Sequence, residues 1–265
     1  MTLAHERPAQ LRAGTVRDRP APLRELLLIG ALWLSYTLGR LVADGHVEAA
    51  YENAGRVWHL ERLLRLPAET DVQHLLLRAG DLVEVANSYY AYVHFPATIG
   101  FLLWVYLCRP AQYRVVRSTL ALLTGAALVV HLIFPLAPPR MLADTGLVDT
   151  GHLYGPAVYG TPGGDDLTNQ YAAMPSLHVG WALLVAITLI TLTAGRRRWL
   201  WLAHPLLTLL VVVGTANHYW LDAIVAAALL AVALRLTGLH ARAVTAGPAA
   251  TPPARRRPWR SPTRG

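Results

Sequence analysis

Six apolar runs dominate this 265-residue chain, at 25–39, 85–107, 117–135, 175–194, 199–214 and 218–236. At 1.5 Å of rise per residue, about 20 residues carry a helix across a hydrocarbon core roughly 30 Å thick, so runs of this kind specify membrane-crossing helices. The composition agrees, with 54% apolar residues and only 15% charged, well away from the balance of a water-soluble domain. The expected fold class is all-α, a polytopic membrane protein with six transmembrane helices.

The basic residues set the orientation. All 24 are arginine, against 16 acidic residues, and they fall in short blocks between the apolar runs rather than along one polar stripe, which argues against nucleic-acid binding. Arg7, Arg12, Arg17, Arg19 and Arg24 precede the first run. Arg109, Arg114 and Arg117 separate the second from the third, and Arg196, Arg197 and Arg198 the fourth from the fifth. Arg242, Arg255, Arg256, Arg257, Arg260 and Arg264 follow the sixth. With six crossings these regions share one side, and the excess of arginine makes it cytoplasmic. Three segments result: a cytoplasmic N-terminal segment at 1–24, a membrane domain at 25–236, and a cytoplasmic tail at 237–265 whose Pro/Arg/Ala-rich composition predicts disorder. The bilayer implied is the plasma membrane. An uncleaved first span is expected, since no small-residue cleavage site follows it.

Between 42 and 84 the pattern is amphipathic, with Trp58, Leu60, Leu63 and Leu64 interleaved with Glu52, Arg56, Glu61 and Arg62. Pro67, followed by Glu69 and Asp71, marks a break and a fresh helix start, so two interfacial helices are predicted between the first and second spans. The segment 136–171 is rich in proline and glycine, carries Asp144, Asp149, Asp165 and Asp166, and reads as a long extracytoplasmic loop. The single cysteine, Cys108, excludes an intrachain disulfide and a CxxC site.

Several residues at the predicted extracytoplasmic ends carry chemistry. In Asn217-His218-Tyr219-Trp220-Leu221-Asp222 an imidazole and a carboxylate stand four residues apart, on one face of a helix. A carboxylate bonded to one ring nitrogen raises the basicity of the other, which suits a histidine nucleophile; the same pair serves equally as half of a metal site or as an interfacial polar pair. In Met174-Pro175-Ser176-Leu177-His178 a proline opens a helix and Ser176 sits in its first turn. Free N–H groups there make an anion site, to which the serine hydroxyl adds a donor, and His178 is placed to protonate a leaving oxygen. Arg140, after the third span, matches phosphate oxygens with paired donors, or else snorkels at the interface. Asn87, Tyr90 and His94 form a polar stripe near the outer end of the second span, lining a substrate or bonding between helices. His131 is a weaker candidate of the same kind.

These residues, in the runs FPLAPPRM, AAMPSLHVGW and NHYWLD, resemble the type 2 phosphatidic acid phosphatase superfamily, and more narrowly its branch of inositol phosphorylceramide synthases and bacterial relatives. The resemblance spans 134–222. It implies a phosphatidic acid phosphatase/vanadium haloperoxidase-like helical bundle and a metal-independent reaction with no cofactor. In it His218, oriented by Asp222, attacks phosphorus, His178 exchanges protons with the alcohol or water, and Arg140 and Ser176 hold the phosphate.

This chain departs from the phosphatase pattern at three positions. Leu177 stands where the phosphatases carry glycine, Val212 where they carry an arginine, and Ile133 where they carry a lysine. A pocket with fewer cations favours a phosphodiester. The expected function is that of a membrane lipid phosphotransferase of the inositol phosphorylceramide synthase kind, working through a phosphohistidine. The alternative is a lipid-phosphate phosphatase, and a third class is a transporter or metal-binding membrane protein. The partners implied are a phospholipid or other lipid-phosphate substrate and the bilayer itself.

Overall fold

The computed structural model describes residues 20–43, 47–156 and 170–238. The basic blocks at 1–19, the predicted tail beyond 238, and Asp165 and Asp166 of the long loop lie outside the described residues, while Thr237, placed in that tail by the sequence, ends a helix. Ten helices run α1 (Pro22–Ala43), α2 (Val47–Leu63), α3 (Glu69–Arg78), α4 (Leu82–Ser88), α5 (His94–Cys108), α6 (Pro110–Ile133), α7 (Thr150–Tyr154), α8 (Leu177–Leu192), α9 (Ala203–Gly214) and α10 (Trp220–Thr237). A π turn at Tyr89–Val93 joins α4 to α5. The described residues form helices, turns and one isolated bridge, Leu136 to Ala172.

Among the described residues, three stretches are long and apolar enough to cross a membrane: Leu82–Cys108, Pro110–Ile133 and Trp220–Thr237. α8 is apolar but shorter. Each of the six apolar runs overlaps a helix, and the helix boundaries follow local chemistry. Pro110 opens α6, where its missing N–H costs no helix bond. Gly238 closes α10 at φ 67°, a left-handed conformation that glycine adopts without strain.

The bundle is apolar outside and polar within. Ile99, Val129, Ile133, Val232 and Leu236 face outward, whereas His94, Thr98, Thr119, His131 and Thr188 are buried. Lipid demands this arrangement, since a polar group facing hydrocarbon has no partner. The core is built where α6, α8 and α10 meet, around Val116, Leu123, Leu184 and Leu230. A Cβ on Gly180 would lie 3.1 Å from Leu123 Cδ2 and 3.6 Å from Ala226 Cβ, so a glycine lets α8 approach both neighbours. Polar bonds tie the helices together: Thr119 to Thr237 at 2.8 Å, and Trp181 Nε1 donating to Thr124 at 3.1 Å. At the arginine-bearing end of α6, Arg117 pairs with Glu25 of α1 at 2.7 Å, and the Tyr113 hydroxyl donates to the same carboxylate.

α2 and α3 fall within the 42–84 segment, on either side of Pro67. The buried face of α2 is Ala50, Asn53, Ala54, Val57 and Glu61, a helical stripe turned toward the start of α10 and the 135–137 turn. Asn53 donates to Pro135 O, and Ala137 N–H to Ala50 O. α3 packs on α9, with Leu76 filling the space beside Gly214.

Candidate active site

The turn from α9 into α10 and the start of α8 meet at one end of the bundle. Ser176 N–H donates to Asp222 O at 3.1 Å, joining the two helix starts through the backbone. His218 precedes α10, and its Nδ1 lies 2.9 Å from Ala173 O and 3.1 Å from Asp222 Oδ2. Both neighbours are acceptors, so the ring proton sits on Nδ1 and the lone pair on Nε2. Asp222 Oδ2 also accepts the Tyr219 N–H at 2.9 Å, and the Tyr219 hydroxyl donates to Ala137 O. The carboxylate is fully buried, with Oδ1 lacking a partner among the described residues.

His178, in the first turn of α8, brings its ring centroid to 5.7 Å from that of His218. Its Nε2 is buried without a hydrogen-bond partner among the described residues. Tyr90 stacks on it at 4.5 Å with planes 23° apart, and His94 lies at 4.8 Å. The predicted stripe therefore divides. Tyr90 and His94 pack on His178, whereas Asn87 donates to Thr150 O and Gly155 O and accepts from the Thr150 hydroxyl. Asn87 holds α7 against the bundle. His131 Nε2 lies 3.3 Å from Pro175 O, just before the α8 start.

Ser176 stands one position earlier than the sequence pattern placed it. It is the N-cap of α8, outside the first turn, and its Oγ accepts the Val179 N–H at 3.4 Å. A serine oxygen satisfies the first free N–H groups of a helix, so local capping competes for this side chain. Arg140 is brought beside the His218 turn: its NH1 donates to Asn217 Oδ1 at 2.6 Å and its backbone N–H to Ala216 O. Its Nε pairs with Asp149 Oδ2 at 3.2 Å, and Asp149 Oδ1 caps α7 by accepting the His152 N–H. Asp149, Asn217 and Ala173 were not singled out in the sequence. Asn217 adjoins a motif residue and could have been found. A carbonyl oxygen such as that of Ala173 leaves no mark in residue type.

An apolar cavity of about 350 Å³ opens between α8, α9 and α10, lined in part by Val179, Leu183, Leu206, Trp220, Ala223 and Ala227. Its lining is apolar and includes Val179 and Ala223, the sequence neighbours of His178 and Asp222, but none of the cluster's own side chains.

An apolar bundle presenting paired histidines, a buried carboxylate and an arginine at one end defines a class of membrane protein with a built polar site. A family model described as PAP2 superfamily matches residues 55–236, which hold every residue of that cluster, and the chain belongs to this superfamily. Membership supports a phosphatase- or phosphotransferase-type function on lipid phosphates. No curated protein and no solved structure matches the chain.

Proposed function

We propose that the protein is a membrane lipid phosphotransferase that moves a phosphate-linked headgroup through a phosphohistidine on His218. The observation that carries this reading is the double acceptor at His218 Nδ1, which leaves Nε2 as the nucleophile. Nε2 attacks phosphorus, forming an N–P bond as the P–O bond to the departing alcohol breaks. His178 supplies the proton that the departing oxygen takes. An acceptor hydroxyl then attacks the phosphohistidine, returning its proton to His178 and freeing His218. Arg140 and the N–H groups opening α8 beyond Ser176 steady the phosphoryl oxygens as charge redistributes.

A diester substrate is favoured over a monoester by the sparse positive charge. Arg140 is offset by Asp149, Val212 is buried where the phosphatases carry arginine, and Ile133 points outward where they carry lysine. A diester bears one charge and needs fewer cations than a monoester. The apolar cavity between α8, α9 and α10 is of a character to take an acyl chain, which supports a lipid donor. Six crossings, with the arginine-bearing ends cytoplasmic and the cluster extracytoplasmic, follow from the distribution of arginine.

Purified protein given phosphatidylinositol or phosphatidic acid, each radiolabelled at phosphorus, should acquire acid-labile label that is absent in His218→Ala. Wild-type turnover of either lipid without labelled protein would sink the nucleophile assignment. Product analysis with and without a lipid alcohol acceptor separates transfer from hydrolysis. A reporter fused after Gly265 should read as cytoplasmic.

A further inference from the structure

The chemistry above leaves one buried acidic pair unused. Glu61 of α2 and Glu69 of α3 are both fully buried, at 0% exposure. Arg62 sits against them, 2.6 Å from Glu69 Oε2 and 3.7 Å from Glu61 Oε2. Glu61 Oε1 accepts the Leu221 N–H at 2.7 Å, a bond between residues 160 apart in sequence. The two remaining oxygens, Glu61 Oε2 and Glu69 Oε1, are buried with no donor among the described residues. One proton held between the carboxyls satisfies both and leaves a single negative charge for the single guanidinium.

Leu221 is the second residue of α10, where helix geometry leaves the N–H without an internal partner. The next residue is Asp222, and Tyr219 and His218 precede it. We propose that Glu61 is a positioning residue: by accepting the Leu221 N–H while sharing a proton with Glu69, it clamps the first turn of α10 and so sets the Asp222 carboxylate against His218. The inference rests on His218 being the nucleophile.

The groups facing Glu61 are Arg62 on its own helix, Glu69 on α3, and Tyr219 and Asp222 at the start of α10. Burial, then the hydrogen bond to Glu69, pushes the Glu61 carboxyl up to about 9, so at neutral pH the proton is in place. It is lost as pH rises through that value, and the clamp then holds two like charges.

Glutamine copies the protonated carboxyl, with an oxygen to accept from Leu221 and an N–H to donate to Glu69. The test measures kcat, KM and the rate of phosphohistidine formation from pH 6 to 10. It compares wild type, Glu61→Gln, Glu61→Leu and His218→Ala on dioctanoyl phosphatidic acid and phosphatidylinositol side by side. Glu61→Gln should keep the wild-type kcat and lose the wild type's fall near pH 9. Glu61→Leu should lower kcat and phosphohistidine formation about tenfold with KM unchanged, the scale set by a small misplacement of a reacting group. The proposal is overturned if Glu61→Gln is as impaired as Glu61→Leu, if its alkaline fall persists, or if Glu61→Leu retains full kcat. Should Glu61→Leu fail to fold, the Glu61→Gln profile decides. Turnover by His218→Ala would instead overturn the nucleophile on which the inference rests.

Discussion

The ring of Tyr90 lies on the imidazole of His178, centroids 4.5 Å apart and planes 23° from parallel, so a side chain from the π turn sets the orientation of a histidine on α8. Stacked ring pairs contribute about 0.5–1.5 kcal/mol beyond burial, so Tyr90→Ala should lower kcat by up to roughly tenfold. Tyr90→Phe keeps the stack and should fall much less. Steady-state kinetics of the two variants distinguish stacking from a role of the hydroxyl.

Asp222→Asn preserves shape but weakens the acceptor that holds the His218 proton on Nδ1. Loss of a positioned acid–base partner costs on the order of 10²–10⁴ in rate. Both kcat and phosphohistidine formation should fall by that factor together, as read in single-turnover quench experiments. A variant that forms the intermediate at the wild-type rate would separate Asp222 from the first step.

His178→Ala removes the proposed proton donor for the departing alcohol. A p-nitrophenyl phosphodiester, whose leaving group departs without protonation, should still label His218 in this variant. Release to the acceptor should be slow, because the base is also missing. Accumulated labelled protein with this probe, and little label with phosphatidylinositol, is the expected pattern.

Asn87 makes three hydrogen bonds to Thr150 and Gly155. Asn87→Leu strands the buried Thr150 hydroxyl and should destabilise the protein by about 2–3 kcal/mol, seen as a lower thermal midpoint in detergent. An unchanged midpoint with a raised KM would return Asn87 to the substrate-lining role that its sequence position suggested.

Ala227 borders the apolar cavity. Ala227→Phe should raise KM for a dioleoyl substrate more than for a dioctanoyl one. Displacing two methylenes costs about 1.6 kcal/mol, more than tenfold in affinity. Equal effects on both chain lengths would place the acyl chains elsewhere.

The apolar helices were legible in the sequence because lipid imposes a one-dimensional rule: a helix that crosses it needs a continuous apolar run. The members of the polar cluster were legible for a similar reason. His218 and Asp222 lie four residues apart on one turn, and His178 follows a helix start, so local geometry places each group without knowledge of the fold. Ser176 shows where that reasoning slips, since α8 starts later than expected and Ser176 is its N-cap rather than a first-turn residue.

What only the tertiary structure decided is how these groups are held. The carbonyl of Ala173 fixes the His218 tautomer together with Asp222, Asp149 offsets Arg140, and Tyr90 and His94 close on His178. Glu61 reads in the sequence as one polar position of an amphipathic helix, yet it bonds the first turn of a helix 160 residues away. Such contacts depend on where whole helices cross and on backbone oxygens that every residue carries. Residue type and spacing therefore picked out the polar groups, and packing specified their geometry.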